Sequence, residues 1–195
     1  MDPVSRLIKE LTKLPGIGEK TASRLSFHIL GSSEEDARAL SEAILDVKEK
    51  IRLCSICLNI TDQDLCSVCR DPNRTEEIIC VVEEPNDLFA IEKIRVFHGR
   101  YHVLHGVISP LDGIGPEGIH VHELMARLTS GKVKEVILAT NPVVEGDATS
   151  LYLSEQIKPL GIKVTRIARG IPMGGDLEYT DGATLTNAIR GRQDL

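Results

Sequence analysis

The stretch Cys54-Ser-Ile-Cys57-Leu-Asn-Ile-Thr-Asp-Gln-Asp-Leu-Cys66-Ser-Val-Cys69 separates two parts of the 195-residue chain that differ in character. It holds four of the five cysteines, as two C-x2-C pairs. Two such pairs offer four thiolates at the spacing that tetrahedral Zn²⁺ prefers, and they leave no coordination position open for substrate. The pattern predicts one structural Zn²⁺ per chain, held by Cys54, Cys57, Cys66 and Cys69. Another thiophilic metal, or a redox role for the pairs, is the alternative.

The segment before these cysteines, residues 1–53, is predicted to be helical. Asp2 can cap a first helix, which Pro15 and Gly16 end. The apolar side chains of this helix recur at helical spacing and are Val4, Leu7, Ile8, Leu11 and Leu14. A second helix is expected over Glu19–Leu30.

A third helix is predicted to begin at a capping box formed by Ser32 and Glu35 and to run to about Arg52. Its apolar residues alternate by three and four positions and are Ala37, Leu40, Ile44, Val47 and Ile51. This spacing suits a seam against another helix or another subunit. Packing within the same small domain is the other interpretation.

The turn between the first two helices has the chemistry of a phosphate-binding site. Gly16 and Gly18 allow a tight turn that leaves backbone amides free at the start of the second helix, where the helix dipole favours an anion. Lys20 and Arg24 add positive charge on the same side, although the whole chain has a net charge of −6. The pattern predicts a helix-hairpin-helix motif that contacts the DNA backbone without reading sequence. An ordinary helical hairpin is the alternative.

The segment after the cysteines alternates between strand and helix signals. Its predicted strands are Ile78–Glu83, Tyr101–His105, Glu135–Thr140 and Lys163–Ile167. Its predicted helices cover about 87–98, 120–130, 147–159 and 183–190. Such alternation indicates a mostly parallel sheet covered by helices, with ligand chemistry at the carboxyl ends of the strands. The expected fold class is therefore multi-domain α/β.

Acidic residues follow two of the predicted strands. Glu83 ends the first strand of this segment, and Glu145 and Asp147 follow the strand at Glu135–Thr140 after a short loop. If both loops lie at the same edge of the sheet, these carboxylates come together and could hold Mg²⁺. Solvated loop acids with no ligand are the simpler interpretation.

Two of these stretches resemble the signatures of the Toprim domain, which topoisomerases, primases and some nucleases share. They are Ile79-Cys-Val-Val-Glu83 and Leu138-Ala-Thr-Asn-Pro-Val-Val-Glu-Gly-Asp-Ala148. The order of helix-hairpin-helix, four-cysteine finger and Toprim domain resembles the RecR family of bacterial recombination mediators. The resemblance extends through Tyr101-His-Val-Leu104, Ser109-Pro-Leu-Asp-Gly113 and Arg169-Gly-Ile-Pro172.

The resemblance implies four parts. They are a DNA-binding helix-hairpin-helix domain at 1–53, a zinc finger at 54–77, a Toprim domain at 78–170 and a C-terminal oligomerisation segment at 171–195.

The sequence departs from catalytic Toprim enzymes at two positions. The corresponding motif of those enzymes is similar to A-T-D-x-D-x-E-G, and its two aspartates hold magnesium. This chain has Asn141 and Val143 at those two positions. Losing two carboxylates removes charge that binds the metal and stabilises a phosphoryl-transfer transition state. We therefore expect no enzymatic activity, and expect Glu83, Glu145 and Asp147 to contact a partner protein or to bind Mg²⁺ weakly. A magnesium-dependent Toprim nuclease or a topoisomerase-like enzyme is the alternative.

The resemblance also implies a role and partners. A RecR-like protein would act with RecO and RecF to help load RecA onto single-stranded DNA during DNA repair. It would assemble into a ring, commonly a tetramer, that can surround single- or double-stranded DNA. The apolar runs are too short for a membrane helix, and the N-terminus has no signal-peptide pattern. The expected location is therefore the cytoplasm, in association with the nucleoid.

Overall fold

The chain divides after Ile51 into two units, in a computed structural model that describes residues 1–129 and 131–192. The predicted C-terminal segment, 171–195, is therefore described as far as residue 192. Among the residues so described, every helix is too short or too polar to cross a lipid bilayer.

The first unit contains three helices, α1 (Pro3–Leu11), α2 (Glu19–Gly31) and α3 (Glu34–Lys50). The predicted cap of α1 is confirmed, since an Asp2 carboxylate oxygen accepts a hydrogen bond from the Ser5 N–H at 3.0 Å. Helices α1 and α2 pack together, and Ala22 of α2 is completely buried. Helix α1 ends three residues before the predicted Leu14. The N–H groups of residues 13 and 14 bond three residues back rather than four, which tightens the chain ahead of Pro15.

The predicted capping box of α3 is wrong by one residue. Ser33 is the cap, and its hydroxyl accepts from the Asp36 N–H at 3.0 Å while donating to an Asp36 carboxylate oxygen at 2.6 Å. Ser32 instead ends α2, where its hydroxyl donates to the Ile29 carbonyl at 2.8 Å. Two adjacent serines thus serve two different helices.

Helix α3 has no buried residue. Its apolar row is exposed, with Ile44 59% and Val47 61% accessible. Packing of this row within its own small domain, one of the two interpretations of the sequence, is therefore not observed. The row remains available to another molecule.

The second unit begins with the cysteine region. Strands β1 (Arg52–Leu53) and β2 (Ile60–Thr61) pair antiparallel, and a short helix α4 (Ser67–Arg70) follows.

A four-stranded sheet forms the centre of the second unit. Its strands are β3 (Ile78–Val82), β4 (Arg100–Val103), β5 (Glu135–Ala139) and β6 (Lys163–Arg166). They lie in the order β4-β3-β5-β6, and each neighbouring pair is parallel, which confirms the predicted sheet. Because Glu83 and Asn141 lie just beyond β3 and β5, both stand at the carboxyl edge.

The helices of this unit are α5 (Pro85–Ile94), α6 (Val121–Leu128), α7 (Val144–Ile157) and α8 (Gly182–Arg190). Helix α5 ends four residues before the predicted residue 98, because Arg95 adopts a left-handed conformation with φ 55°. Helix α7 starts three residues before the predicted residue 147. Glu145 and Asp147 therefore lie in its first turn rather than in a loop.

The two faces of the sheet bury different partners, because successive strand residues point to opposite sides. Ile79 and Val81 pack with apolar residues of α6 and α7. Cys80 and Val82 pack on the other face, in a cluster with α5 and three cysteines of the two C-x2-C pairs. The cysteine region therefore shares a core with the sheet. Burial raises the pKa of the Cys80 thiol to about 12, which keeps it protonated and unreactive.

Candidate metal centre, Toprim-like site and nucleic-acid interface

Two backbone turns bring the four predicted zinc ligands together. Cys54 and Cys57 flank the turn between β1 and β2, while Cys66 caps α4 and Cys69 lies within it. The four Sγ atoms all lie within 4.8 Å of one another, and those of Cys57 and Cys66 are 3.5 Å apart. Such an arrangement is the donor geometry of a closed tetrahedral site.

Backbone groups orient the sulfurs. The Cys66 N–H donates to Cys54 Sγ and the Cys69 N–H to Cys66 Sγ, both at 3.4 Å. The first turn closes through Leu58, which has a φ of 63° and whose N–H donates to the Cys54 carbonyl at 3.0 Å. Amides directed at sulfur stabilise the thiolate form that binds metal. No local sequence pattern indicated the left-handed Leu58.

The ionisation of these thiols is coupled. Hydrogen bonds from Cys57 and Cys69 lower the pKa of Cys66 well below its ordinary value, and the same contact with Cys66 raises the pKa of Cys57. Four sulfurs this close cannot all ionise unless a cation lies between them. The donor set therefore fits one Zn²⁺ ion in a structural role.

Glu83, at the end of β3, is buried and held by a single residue. Its carboxylate accepts one hydrogen bond from the Asn141 backbone N–H at 2.8 Å and another from the Asn141 side-chain amide at 2.6 Å. Asn141 thus donates hydrogen bonds to both Glu83 carboxylate oxygens. It stands at the position where the resemblance to catalytic Toprim enzymes implies an aspartate. The replacement is visible in the sequence, whereas the contact that it makes is not.

Gly146 allows the strand ends and α7 to approach closely. A Cβ at this position would overlap the Asn141 carbonyl oxygen and lie 2.8 Å from Glu83 Oε1. The Thr140 hydroxyl fixes the same turn by donating to the Gly146 carbonyl at 2.9 Å. The glycine of the signature is therefore required by packing against Glu83.

Asp147 is paired with two arginines that sequence reasoning missed. Arg169 contacts both of its carboxylate oxygens, at 2.5 and 3.1 Å, and Arg166 contacts one of them. Hydrogen bonds from Arg169 and then from Arg166 lower the pKa of Asp147 to about 2. The two arginines lie at the end of β6 and just beyond it. Their distance in sequence from Asp147 left no local signal.

Glu145 differs from the other two predicted acids. It is half-buried in the first turn of α7, next to the exposed Val144, and its backbone carbonyl accepts from the Thr149 hydroxyl at 2.7 Å. The structure brings Glu83, Glu145 and Asp147 to the same end of the sheet. It does not bring their carboxylates into one cluster, because the cysteines are the single group of three or more close metal-binding side chains in the described part of the chain.

The predicted phosphate-binding turn joins α1 and α2. Gly16 has a φ of +78°, a left-handed conformation that favours glycine, and Gly18 caps α2 without a side-chain hydrogen bond. Space beside Gly18 is open, since a Cβ there would meet no atom within 4 Å. Lys20 and Arg24 are exposed, four residues apart on α2, and therefore lie on one helix face. The geometry suits a backbone phosphate at the start of α2.

Four family models match the chain in the order of these features. They are described as the helix-hairpin-helix of RecR (residues 4–48), the four-cysteine zinc finger domain of RecR (51–71), the Toprim domain (77–168) and the C-terminal part of RecR (170–193).

Curated relatives match over their whole length. Proteins named recombination protein RecR from Heliobacterium modesticaldum and Myxococcus xanthus are 56% and 57% identical to this chain over 194 residues, which cover 100% of the chain and 98% of each relative. The chain belongs to the RecR family of recombination proteins. A third relative of the same name, from Koribacter versatilis, is 56% identical over the same shares. The RecR family zinc finger and the close thiols agree on one structural Zn²⁺ per chain.

Proposed function

We propose that this chain is a non-catalytic, DNA-binding recombination mediator in DNA repair. It acts with RecO and RecF to help load RecA onto single-stranded DNA, as family membership suggests. The observation that carries the non-catalytic assignment is the state of the Toprim-like acids. Asn141 donates hydrogen bonds to both carboxylate oxygens of Glu83, and two arginines neutralise Asp147. Two of the three carboxylates are thus already bound within the chain, Glu83 by hydrogen bonds and Asp147 by ion pairs, instead of being free to hold the metal ions of a phosphoryl transfer.

DNA contact is assigned to the turn before α2. Backbone amides near Gly16 and Gly18 bind one phosphate of the DNA backbone, and Lys20 and Arg24 contact the adjacent phosphates. One chain offers few such cations against a net charge of −6. Several copies in a ring, commonly a tetramer, would direct these cations to one opening that surrounds single- or double-stranded DNA.

Partner docking is assigned to the first turn of α7. Of the three predicted acids, Glu145 lies beside exposed apolar groups, with Val143 51% and Val144 81% accessible. An acidic side chain beside an apolar patch fits a basic protein surface, and RecO is the partner expected from the family. Weak Mg²⁺ binding by Glu83, Glu145 and Asp147, the other role expected from the sequence, stays a prediction.

The four-part organisation of the sequence is also proposed for the folded chain. Residues 1–53 bind DNA, 54–77 hold zinc, 78–170 form the Toprim domain and 171–195 support oligomerisation. The proposed location is the cytoplasm, at the nucleoid.

The test compares two activities of one preparation. The purified zinc-loaded protein is incubated with supercoiled plasmid and Mg²⁺, and nicked product is measured beside RecO binding. We expect no nicking, and we expect Glu145→Ala to weaken RecO binding while zinc content and oligomer mass stay unchanged. Glu155→Ala, an exposed acid at the other end of α7, is the matched control. Magnesium-dependent nicking that Glu145→Ala abolishes would favour the alternative, a Toprim nuclease.

A further inference from the structure

A cavity of about 240 Å³ lies between the cysteine region and the sheet. Cys69, Arg100 of β4 and Arg127 of α6 all line it. Lys132 and Glu76, which also line it, are paired at 2.8 Å. Two half-buried arginines therefore line the same cavity as a zinc ligand.

Arg127 is held in place by neutral groups. Its Nη1 donates to the Tyr101 carbonyl at 2.7 Å and lies 3.3 Å from His102 Nδ1. Burial lowers the pKa of His102 to about 4, so this ring is uncharged at neutral pH. No carboxylate lies within ion-pair distance of Arg127 in the described residues. A desolvated cation with no acidic partner needs compensating charge from another source.

The cysteine cluster can supply this negative charge, because Cys69 lines the same cavity as Arg127, whereas Glu76 of that cavity is already paired with Lys132. Arg127 and Arg100 both line the cavity that Cys69 lines. Arg100 reaches the cluster through the backbone, since its guanidinium donates to the Val68 carbonyl between Cys66 and Cys69. The Val103 N–H of the same strand donates to the Cys57 carbonyl at 2.9 Å. Strand β4 and α6 thus surround the cluster with donors and cations.

The net charge of the zinc–thiolate centre explains why cations lie near it. A Zn²⁺ ion with four thiolates carries a net charge of about −2, and in this chain three of the four cysteines are buried and Cys69 is half-buried. Two arginines, Arg100 of β4 and Arg127 of α6, are opposite to that charge in sign and equal to it in number. They also match it in place, because both line the cavity next to Cys69.

We propose that Arg127 and Arg100 are the counter-charges of the zinc centre. The Toprim layer supplies the positive charge that lets the four thiolates, three of them buried, hold Zn²⁺ at neutral pH. Zinc retention therefore depends on residues far outside the finger, and the two layers form one electrostatic unit. Arg127 has the larger effect, because Arg100 acts in part through the Val68 carbonyl.

The test measures how fast Zn²⁺ passes from the full-length, zinc-loaded protein to a chromogenic chelator at neutral pH. Arg127→Met removes the charge and keeps much of the side-chain volume, whereas Arg127→Lys keeps the charge. We expect release to be about tenfold faster in Arg127→Met and close to the unsubstituted rate in Arg127→Lys. Arg38→Met, at an exposed arginine of α3 paired with Glu34, is the matched control and should leave the rate unchanged.

A second readout separates charge from packing. In the protein reloaded with Co²⁺, removing a nearby cation raises the energy of the sulfur lone pairs, so the sulfur-to-cobalt charge-transfer band should move to longer wavelength in Arg127→Met. A residue that merely packs would leave the band in place. Equal rates and equal bands in Arg127→Met, Arg127→Lys and the unsubstituted protein would overturn the proposal.

Arg100→Met carries the same test if Arg127→Met fails to fold, with a smaller acceleration expected in the same direction. An unchanged rate and band in that variant would then refute the role of the cations. Absence of zinc from the freshly purified, folded, unsubstituted protein is a different outcome, because it would refute the zinc site itself.

Discussion

Asn141 shows how one amide changes the chemistry at the end of the sheet. Its backbone and side-chain N–H groups both donate to the Glu83 carboxylate. An aspartate in its place would put two carboxylates within about 3 Å of each other, an arrangement that favours proton uptake or a bound cation. Asn141 removes that requirement, so the Glu83 carboxylate is satisfied with no metal.

The first prediction rebuilds this charge. Asn141→Asp combined with Val143→Asp should strengthen Mg²⁺ binding, because carboxylate oxygens are the ligands that Mg²⁺ prefers. Without Mg²⁺ the double variant should melt at a lower temperature than the unsubstituted protein, and Mg²⁺ should restore part of the loss. Titration calorimetry and thermal melting measure both effects. Val143→Asp alone, which keeps the Asn141 contacts, is the control. Equal Mg²⁺ affinity in the double variant and the control would contradict this interpretation.

Asp147 supports a prediction about acid. Its pKa of about 2 lies below the ordinary value of 3.8, so its ion pairs stabilise the fold fully above about pH 4 and progressively less as the pH falls towards 2. Because the side chain is 50% exposed, solvent screening reduces the contribution to roughly 1 kcal/mol. Asp147→Asn should therefore lower the free energy of unfolding at pH 7 by about that amount. Denaturant melts of the variant and of the unsubstituted protein should show this loss at pH 7 and a smaller loss at pH 2.5. A loss of equal size at both pH values would show that the ion pairs are not its cause.

At the scale of elements, the cysteine turns and α4 depend on what packs against them. Strands of two residues and a helix of four cannot form a stable core of their own. Metal coordination and the shared core on the Cys80 face of the sheet provide what they lack. Zinc affinity in such a region is therefore part of the folding free energy.

The next prediction separates a ligand cysteine from a merely buried one. Cys57→Ser or Cys66→Ser should lower zinc content below one per chain and reduce the melting temperature. Cys80→Ala, in the same apolar cluster, should cost some stability and keep zinc at one per chain. Elemental analysis with thermal melting measures both quantities. Full zinc content in Cys57→Ser would remove this cysteine from the ligand set.

Helix α2 carries the prediction about DNA. Lys20→Ala with Arg24→Ala should weaken binding to every sequence about equally, and each lost phosphate contact should reduce the slope of log affinity against log salt by roughly one. Arg38→Ala with Lys50→Ala, on α3, is the matched control for the same loss of charge. Binding titrations at several salt concentrations decide the matter. Unchanged affinity of the α2 variant at low salt would rule out the assigned interface.

Local signals account for the elements that the sequence predicted well. The four strands and the helical hairpin are encoded within short windows by apolar spacing, glycine and proline, and the cysteine spacing identifies the metal ligands. Contacts between distant segments had no such signal. Arg166 and Arg169 meet Asp147 across about twenty residues, and Arg127 lines a cavity with Cys69 from a different part of the chain. The cap at Ser33 was missed for another reason, because its neighbour Ser32 has the same local chemistry.

At the scale of the whole molecule, two of the apolar surfaces that the described residues leave uncovered bear on assembly. One is the row on α3, and the other lies in the C-terminal segment, where Met173 is 103%, Leu177 65% and Tyr179 82% accessible. Neighbouring large apolar groups of this kind indicate a surface that binds another molecule. Association of several copies would cover both surfaces.

The last prediction tests that association. Ile44→Lys with Val47→Lys should reduce the solution mass of the assembly, because charged side chains in an apolar seam stay unpaired. Zinc content should stay at one per chain, since α3 takes no part in the metal site. Glu42→Lys, also on α3, is the control. Light scattering gives the mass, and an unchanged mass in the double variant would exclude α3 as an interface.

The ion pairs of Arg166 and Arg169 with Asp147 connect two parts of the second unit. They tie the first turn of α7, beside the proposed docking residue Glu145, to the chain that leads from β6 towards α8. A basic partner that competes for Asp147 would weaken its ion pairs with Arg166 and Arg169. A displacement of the C-terminal segment would in turn change how much negative charge α7 presents. Thermodynamic linkage makes the two effects equal in free energy. In the proposed ring, closure of the ring and binding of the proposed partner would then be coupled through the Asp147 carboxylate.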